Sequence, residues 1–172
     1  IDGEADIAIA TEALADHEEL VSLPPYQRHH GVVLAARHAL AREKPLTLEA
    51  IARHPIVTYD ASFTGRSAID RSFAQRGLAP EIALTALDSD VIKSYAALGL
   101  GVGIVSAMAY DAQKDRGLAF LRADHLFPVQ TTRIAFRKGA RLRDFAAEFV
   151  GMFVPHLPRE ALGRLVRGVG ED

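Results

Sequence analysis

The residues best suited to chemistry lie together in Thr58-Tyr59-Asp60-Ala61-Ser62-Phe63-Thr64-Gly65-Arg66-Ser67. A β-rich run, Ile56 to Tyr59, ends there, and a helical pattern opens at about Arg66. A helix entered in this way leaves backbone N–H groups unpaired in its first turn. Those donors, the positive end of the helix dipole and the hydroxyls of Ser62, Thr64 and Ser67 together suit an anion. Gly65 has no Cβ to obstruct a ligand's approach. The same residues also suit a plain helix cap by Thr64 or Ser67. On their own they leave both uses open.

Other chemistry finds less support. No Gly-x-Ser-x-Gly elbow is present, so an esterase triad has no nucleophile. The absence of cysteine excludes disulfides, thiolate metal sites and a Cys nucleophile. Histidines stand at 17, 29, 30, 38, 54, 125 and 156 without a His-Glu-x-x-His spacing, and each fits a surface or capping role. His29 and His30 are adjacent, which on a strand points them to opposite faces. Asp88 and Asp90 flank a helix start, where capping and the dipole account for them. No catalytic residue, metal ligand or cofactor is assigned, and a binding module is expected rather than an enzyme.

The composition is that of an ordinary globular chain, 49% hydrophobic and 24% charged over 172 residues. A formal charge of −2 supplies no field to recruit nucleic acid, although Arg133, Arg137, Lys138, Arg141 and Arg143 gather late. No apolar run reaches the ~18 residues of a membrane span, and no signal-peptide pattern opens the sequence. Ile1-Asp2-Gly3-Glu4 reads as a loop entered from upstream, so a preceding segment is expected.

The elements that must position these residues alternate β and α. Ala5 to Ala10 has the character of a buried strand, ending at Thr11 where a crevice would open. Glu18 to Leu23 predicts a strand stopped by Pro24-Pro25, a stiff connector. Gly31 to Ala35 is a further strand, and Thr47 caps a helix through about Arg53. In the helix from Arg66, Ile69, Phe73 and Ala74 form the apolar face and Gly77 ends it. Glu81 to Leu87 is a strand, and Asp88-Ser89-Asp90 caps Val91 to Leu98, whose Val91, Ile92, Tyr95 and Leu98 recur at helical spacing. Gly99, Gly101 and Gly103 follow a helix and precede a strand, the reverse of a nucleotide loop, and predict a tight αβ connection. A short helix over Met108 to Asp115, a strand over Leu118 to Leu121 and a second connector at Phe127-Pro128 follow. Gln130 to Phe136 alternates as a half-exposed strand, Leu142 to Phe153 is an amphipathic helix, and Pro158 to Val166 a last one. Two proline-marked crossings predict two lobes, 1–24 with 129–172 and an inserted 25–128, each with a mixed or parallel sheet, closing on a ligand between them.

Several stretches then match one family together. Gly3-Glu4-Ala5-Asp6-Ile7-Ala8-Ile9-Ala10-Thr11-Glu12-Ala13-Leu14 resembles the G-x-A-D-x-A-I-A-T-E-A-L stretch of the CysB/Cbl branch of LysR-type transcriptional regulators. Phe63-Thr64-Gly65-Arg66-Ser67, Asp90 to Tyr95, Leu98 to Gly103 and Pro155-His156-Leu157 match it in order. The resemblance implies an α/β effector-binding domain with two lobes like a periplasmic binding protein, its first lobe incomplete at the N-terminus. It implies a cytoplasmic regulator of sulfur assimilation and cysteine biosynthesis, a homodimer or homotetramer, with the helix from Arg66 to Arg76 against a partner subunit. Operator DNA would be reached only through a winged helix-turn-helix that this sequence does not contain. The implied ligands are sulfate, thiosulfate, O-acetylserine or N-acetylserine, held by neutral donors. Carried over by position, these come from Thr11 and Thr64, with Phe63, Gly65 and Arg66 beside the latter. Arg28 stands where the family often places Trp, a departure that bears on ligand size and charge. The family's T-T-H-T-Q-A-R-Y loop, which supplies further anion contacts, is also absent. A solute-binding protein for a small anion shares the architecture and is the alternative.

Overall fold

The computed structural model describes residues 5–10, 17–140, 142–158 and 160. The chain divides into two compact units, Ile1–Gln27 with Thr131–Asp172, and Arg28–Gln130. The expected helix from Pro158 to Val166 falls largely outside the described residues, as do Thr11 and Arg141.

The first unit is built on a three-stranded sheet. Its strands are β1 (Ala8–Ala10), β2 (Leu20–Arg28) and β8 (Gln130–Arg137), in the order β1-β8-β2. The helix α4 (Asp144–Phe153) covers it, with Ile134, Phe136, Leu142, Ala146, Val150 and Val154 forming a buried cluster. Two expectations are corrected here. Residues Ala5 to Ala10 do not make a buried strand: β1 is an edge strand of three residues, and Ile9 is 48% exposed. Pro24 and Pro25 do not stop a strand but lie inside β2. β2 is the other edge of this sheet, so one of the two missing N–H groups can face away from β8 and forfeit no ladder bond.

The second unit is organised by a five-stranded mixed sheet. It contains β3 (His30–Ala35), β4 (Ile56–Tyr59), β5 (Ile82–Ala86), β6 (Val102–Ser106) and β7 (Leu118–Arg122), ordered β5-β4-β6-β3-β7. β4 pairs parallel with β5 and β6, while β3 pairs antiparallel with β6 and β7. The connection from β4 to β5 runs one way across the sheet and that from β5 to β6 runs back. Crossovers of one hand then place their helices, α2 (Thr64–Gln75) and α3 (Ser89–Ala97), on opposite faces. The packing follows this division. Ile69 and Phe73 of α2 meet Val32, Leu34, Ile56 and Ile104, whereas Ile92 and Ala96 of α3 meet Val33, Val57 and Val105. Strands covered on both faces favour apolar residues at nearly every position, hence the apolar runs in β3 and β6; in β4 the buried Thr58 donates its hydroxyl to Ile104 O at 3.2 Å.

Local chemistry sets the helix ends. Thr47 Oγ1 accepts from Ala50 N at 3.1 Å and caps the short helix α1 (Leu48–Ala52). Asp88 Oδ1 accepts from Asp90 N at 2.7 Å and Val91 N at 3.0 Å to cap α3. Gly77, at φ 68°, ends α2 as Leu78 N reaches back to Phe73 O. α2 starts two residues before the expected Arg66, and its cap residue is Phe63, with no side-chain capping bond. The inward stripes also differ from expectation. Ala74 of α2 is exposed, and Ala68 and Ser72 are buried instead. Leu98 is 74% exposed, because six residues, about 600° of helical rotation, carry it off the face that Ile92 defines. Val91 is exposed as well.

The glycines at the start of β6 allow close packing. A Cβ at Gly101 would stand 2.6 Å from Pro55 O, and one at Gly103 2.5 Å from Val33 Cγ2. The expected helix over Met108 to Asp115 is only a 3-10 turn, Ala107–Ala109. Side-chain bonds shape that segment instead. Asp115 Oδ2 accepts from Asp111 N at 2.8 Å, and the buried Lys93 Nζ donates to Asp115 at 3.0 Å and to Ala109 O at 2.8 Å.

Candidate functional site

In the second unit the carboxyl ends of the parallel strands β4, β5 and β6 share one edge of the sheet. α2 and α3 begin there, and the antiparallel β3 begins there too, with His30 opposite Ser106. Ligands of open α/β sheets bind outside such an edge.

Tyr59, the last residue of β4, ties this edge together. Its hydroxyl lies 2.7 Å from Ser89 Oγ at the start of α3 and accepts from Ser106 N at 3.0 Å. Its ring stacks on Phe63, centroids 5.6 Å apart. Its carbonyl accepts from Arg66 Nη1 at 2.8 Å, while Arg66 Nε donates to Asp70 Oδ1 at 2.8 Å. Arg66 therefore braces the junction of β4 and α2, its side chain only 12% exposed. Asp60, in the turn, accepts from Ser62 N at 3.0 Å; this backbone bond holds its carboxyl below the ordinary range.

Thr64 is the first residue of α2 and Gly65 the second. A Cβ on Gly65 would lie 3.1 Å from Gln130 Oε1 and 3.7 Å from both Gln130 Nε2 and His30 Nε2. The first turn of α2 thus abuts two polar side chains that sequence reasoning did not single out. Gln130 is 5% exposed and His30 4%. The expectation that every histidine is a surface or capping residue is corrected for His30, although His38 does cap the turn Ala39–Arg42. Burial, reinforced by the charges of Arg28 and His29, lowers the His30 pKa to about 4. At neutral pH its ring is uncharged, with one N–H donor and one acceptor nitrogen. Its edge rests on Phe127 at 5.6 Å.

Buried polar atoms are normally hydrogen-bonded. Here His30 Nδ1, Gln130 Nε2, Ser106 Oγ and Arg28 Nε are buried without a hydrogen-bond partner among the described residues. Of the sequence-assigned site residues, Phe63, Gly65 and Arg66 come together with Tyr59 at the start of α2. Arg28 ends β2 and acts on His30 through its charge. Thr11 lies outside the described residues. Among those residues, no group of three or more His, Asp or Glu side chains is placed to hold a metal ion.

A sequence profile for the LysR substrate binding domain matches residues 1–158. The chain belongs to the LysR substrate-binding-domain family. The HTH-type transcriptional regulator SsuR of Burkholderia cenocepacia is 50% identical over 167 residues, which are 97% of this chain and 54% of that protein. The regulator CysB of the same organism is 46% identical over 172 residues, 100% of this chain and 55% of CysB. The crystal structure of the cofactor-binding domain of the Cbl transcriptional regulator superposes with a TM-score of 0.84 at 41% identity, covering 96% of this chain and 72% of that one. The mixed α/β fold is that of LysR effector-binding domains. These LysR relatives are transcriptional regulators rather than enzymes, and the chain spans about half of SsuR and CysB.

The two missed residues left a trace in the sequence. Alternation puts Gln130 on the same face as Thr132, Ile134 and Phe136, all of which are buried. A polar residue in phase with a core face is one that burial will leave seeking a partner. His30 carries a weaker signal, as the first residue of an apolar run.

Proposed function

We propose that this chain is the effector-sensing part of a LysR-type transcriptional regulator of sulfur assimilation and cysteine biosynthesis. It binds a small oxyanion or acetylserine inducer, with sulfate, thiosulfate, O-acetylserine and N-acetylserine as the candidates, at the first turn of α2. One observation carries this reading. The Gly65 backbone, at a helix N-terminus, abuts two buried, uncharged side chains, each with one nitrogen, Gln130 Nε2 and His30 Nδ1, that lacks a partner among the described residues. Helix N-termini favour anions through aligned N–H groups. Thr64 and Gly65 supply donors in the second unit, with Phe63 beside them.

Neutral donors suit a sensor. Hydrogen bonds to a charged group contribute roughly 1.5–3 kcal/mol each, so three or four stabilise the complex by about 5–10. Association costs about 4–15 kcal/mol. Gain and cost are of similar size, which suits weak, reversible binding, and Arg66, engaged with Tyr59 and Asp70, leaves that balance unchanged. Arg28 adds preference for a more highly charged or carboxylate-bearing effector, because its charge is felt at His30.

The kinship with SsuR, CysB and Cbl regulators weighs for regulation over solute transport. In this account the protein acts in the cytoplasm as a homodimer or homotetramer with a partner subunit against α2, and reaches operator DNA through a separate N-terminal domain. Calorimetric titration with sulfate, thiosulfate and O-acetylserine tests the site. Saturable binding weakened about tenfold by Thr64→Ala supports it; binding unaffected by that substitution refutes it.

A further inference from the structure

We infer that Gln130 and His30 are effector contacts, which hold an anionic oxygen against the first turn of α2 by hydrogen bonds from uncharged groups. The inference rests on the proposed effector site and adds to it two side chains that neither helix nor motif supplies.

Three features carry it. The first is contact: the amide of Gln130 and the ring of His30 stand within 3.1 to 3.7 Å of the point where a Gly65 Cβ would be. A larger residue there would fill the space between the helix turn and these groups. The second is burial without partners. Gln130 and His30 are more than nine-tenths buried, yet Gln130 Nε2 and His30 Nδ1 have no hydrogen-bond partner among the described residues. A purely structural glutamine would spend its amide on the backbone, since an unpaired buried donor is costly. The third is charge. Arg66 is committed to Tyr59 and Asp70, so the groups nearest Gly65 are neutral. A neutral donor set stabilises an anion by directed bonds and releases it readily, as a sensor must.

Gln130 also lies where β8 begins, at the boundary between the two compact units.

The test is calorimetric titration with sodium sulfate and sodium thiosulfate of the unaltered protein and of Gln130→Leu, Gln130→Glu, His30→Gln and Thr64→Ala. Thermal melting shows that each variant is folded. Gln130→Glu nearly keeps the side-chain shape while replacing a donor by a charged acceptor, so it is the decisive variant. We expect Gln130→Leu and His30→Gln to weaken binding about tenfold, and Gln130→Glu by 50-fold or more, with melting that stays cooperative. If Thr64→Ala weakens binding while folded Gln130→Leu and Gln130→Glu stay within twofold of the unaltered protein, this inference is overturned and the α2 site stands. If the unaltered protein binds neither anion, this inference is overturned, and titration with O-acetylserine and N-acetylserine then decides the α2 site by itself.

Discussion

Arg66 Nη1 donates to the Tyr59 carbonyl at 2.8 Å, joining the last residue of β4 to the first turn of α2. Because Nε of the same guanidinium bonds Asp70, one planar group fixes both the strand end and the helix. Arg66→Ala should lower unfolding free energy by about 1–2 kcal/mol. Arg66→Lys should recover less than half of that, since an ammonium cannot bond in two fixed directions. Urea denaturation measures both, and equal stability of Lys and Arg forms would contradict the brace.

Gly65→Ala should separate binding from stability. Alanine in place of glycine inside a helix favours it by up to about 1 kcal/mol. The new methyl would press on Gln130 Oε1 at 3.1 Å and occupy the approach to the helix turn. We expect an unchanged or slightly higher melting temperature together with at least fivefold weaker sulfate binding. Loss of stability without loss of binding would mean that Gly65 serves packing alone.

His30 should make stability fall in acid. Its folded pKa of about 4 lies below the ordinary 6.5, so the unfolded chain takes up the proton first. Its contribution is complete above pH 6.5, declines as pH falls towards 4, and changes no further below that. The full effect is roughly 3 kcal/mol. Urea unfolding at pH 7.5, 6.0 and 4.5 should show this slope, and His30→Gln should flatten it. An identical slope in the variant would show that other groups cause it.

The helix caps and tight turns were legible because their chemistry is local. Thr47 and Asp88 cap through their own side chains, and Gly77 ends α2 through its own positive φ. The prolines of β2 misled because edge position is a property of the sheet, which their own sequence does not contain. The helix expected over Met108 to Asp115 failed for a related reason, since its bonds come from Lys93 and Asp115, 22 residues apart. At the candidate site, Thr64 and Gly65 were legible from the strand-to-helix turn. Gln130 and His30 were not, because only the packing of α2 and β3 brings residues 30, 65 and 130 together.

The Lys93–Asp115 pair offers a stability prediction of its own. Burial opposes the Lys93 charge, but Asp90 and Asp115 more than offset it and raise its pKa. Asp115→Ala leaves a buried ammonium with one carboxylate fewer and frees the backbone N–H of Asp111. A loss of about 2–3 kcal/mol is expected, below the largest values for such pairs because Asp90 remains. Thermal unfolding of Asp115→Ala and of Lys93→Met with Asp115→Ala would show the double variant as the more stable one if the unpaired charge is the cause.

The most direct test of the effector site is an amide NMR titration of the isotope-labelled protein with sodium sulfate. The account predicts saturable shifts at the backbone amides of Thr64, Gly65 and Arg66 and at the Gln130 side-chain amide, all with one dissociation constant. Shifts confined to the outer face of α2 at Arg71, Gln75 and Arg76, with the amide of Gly65 unmoved, would contradict it.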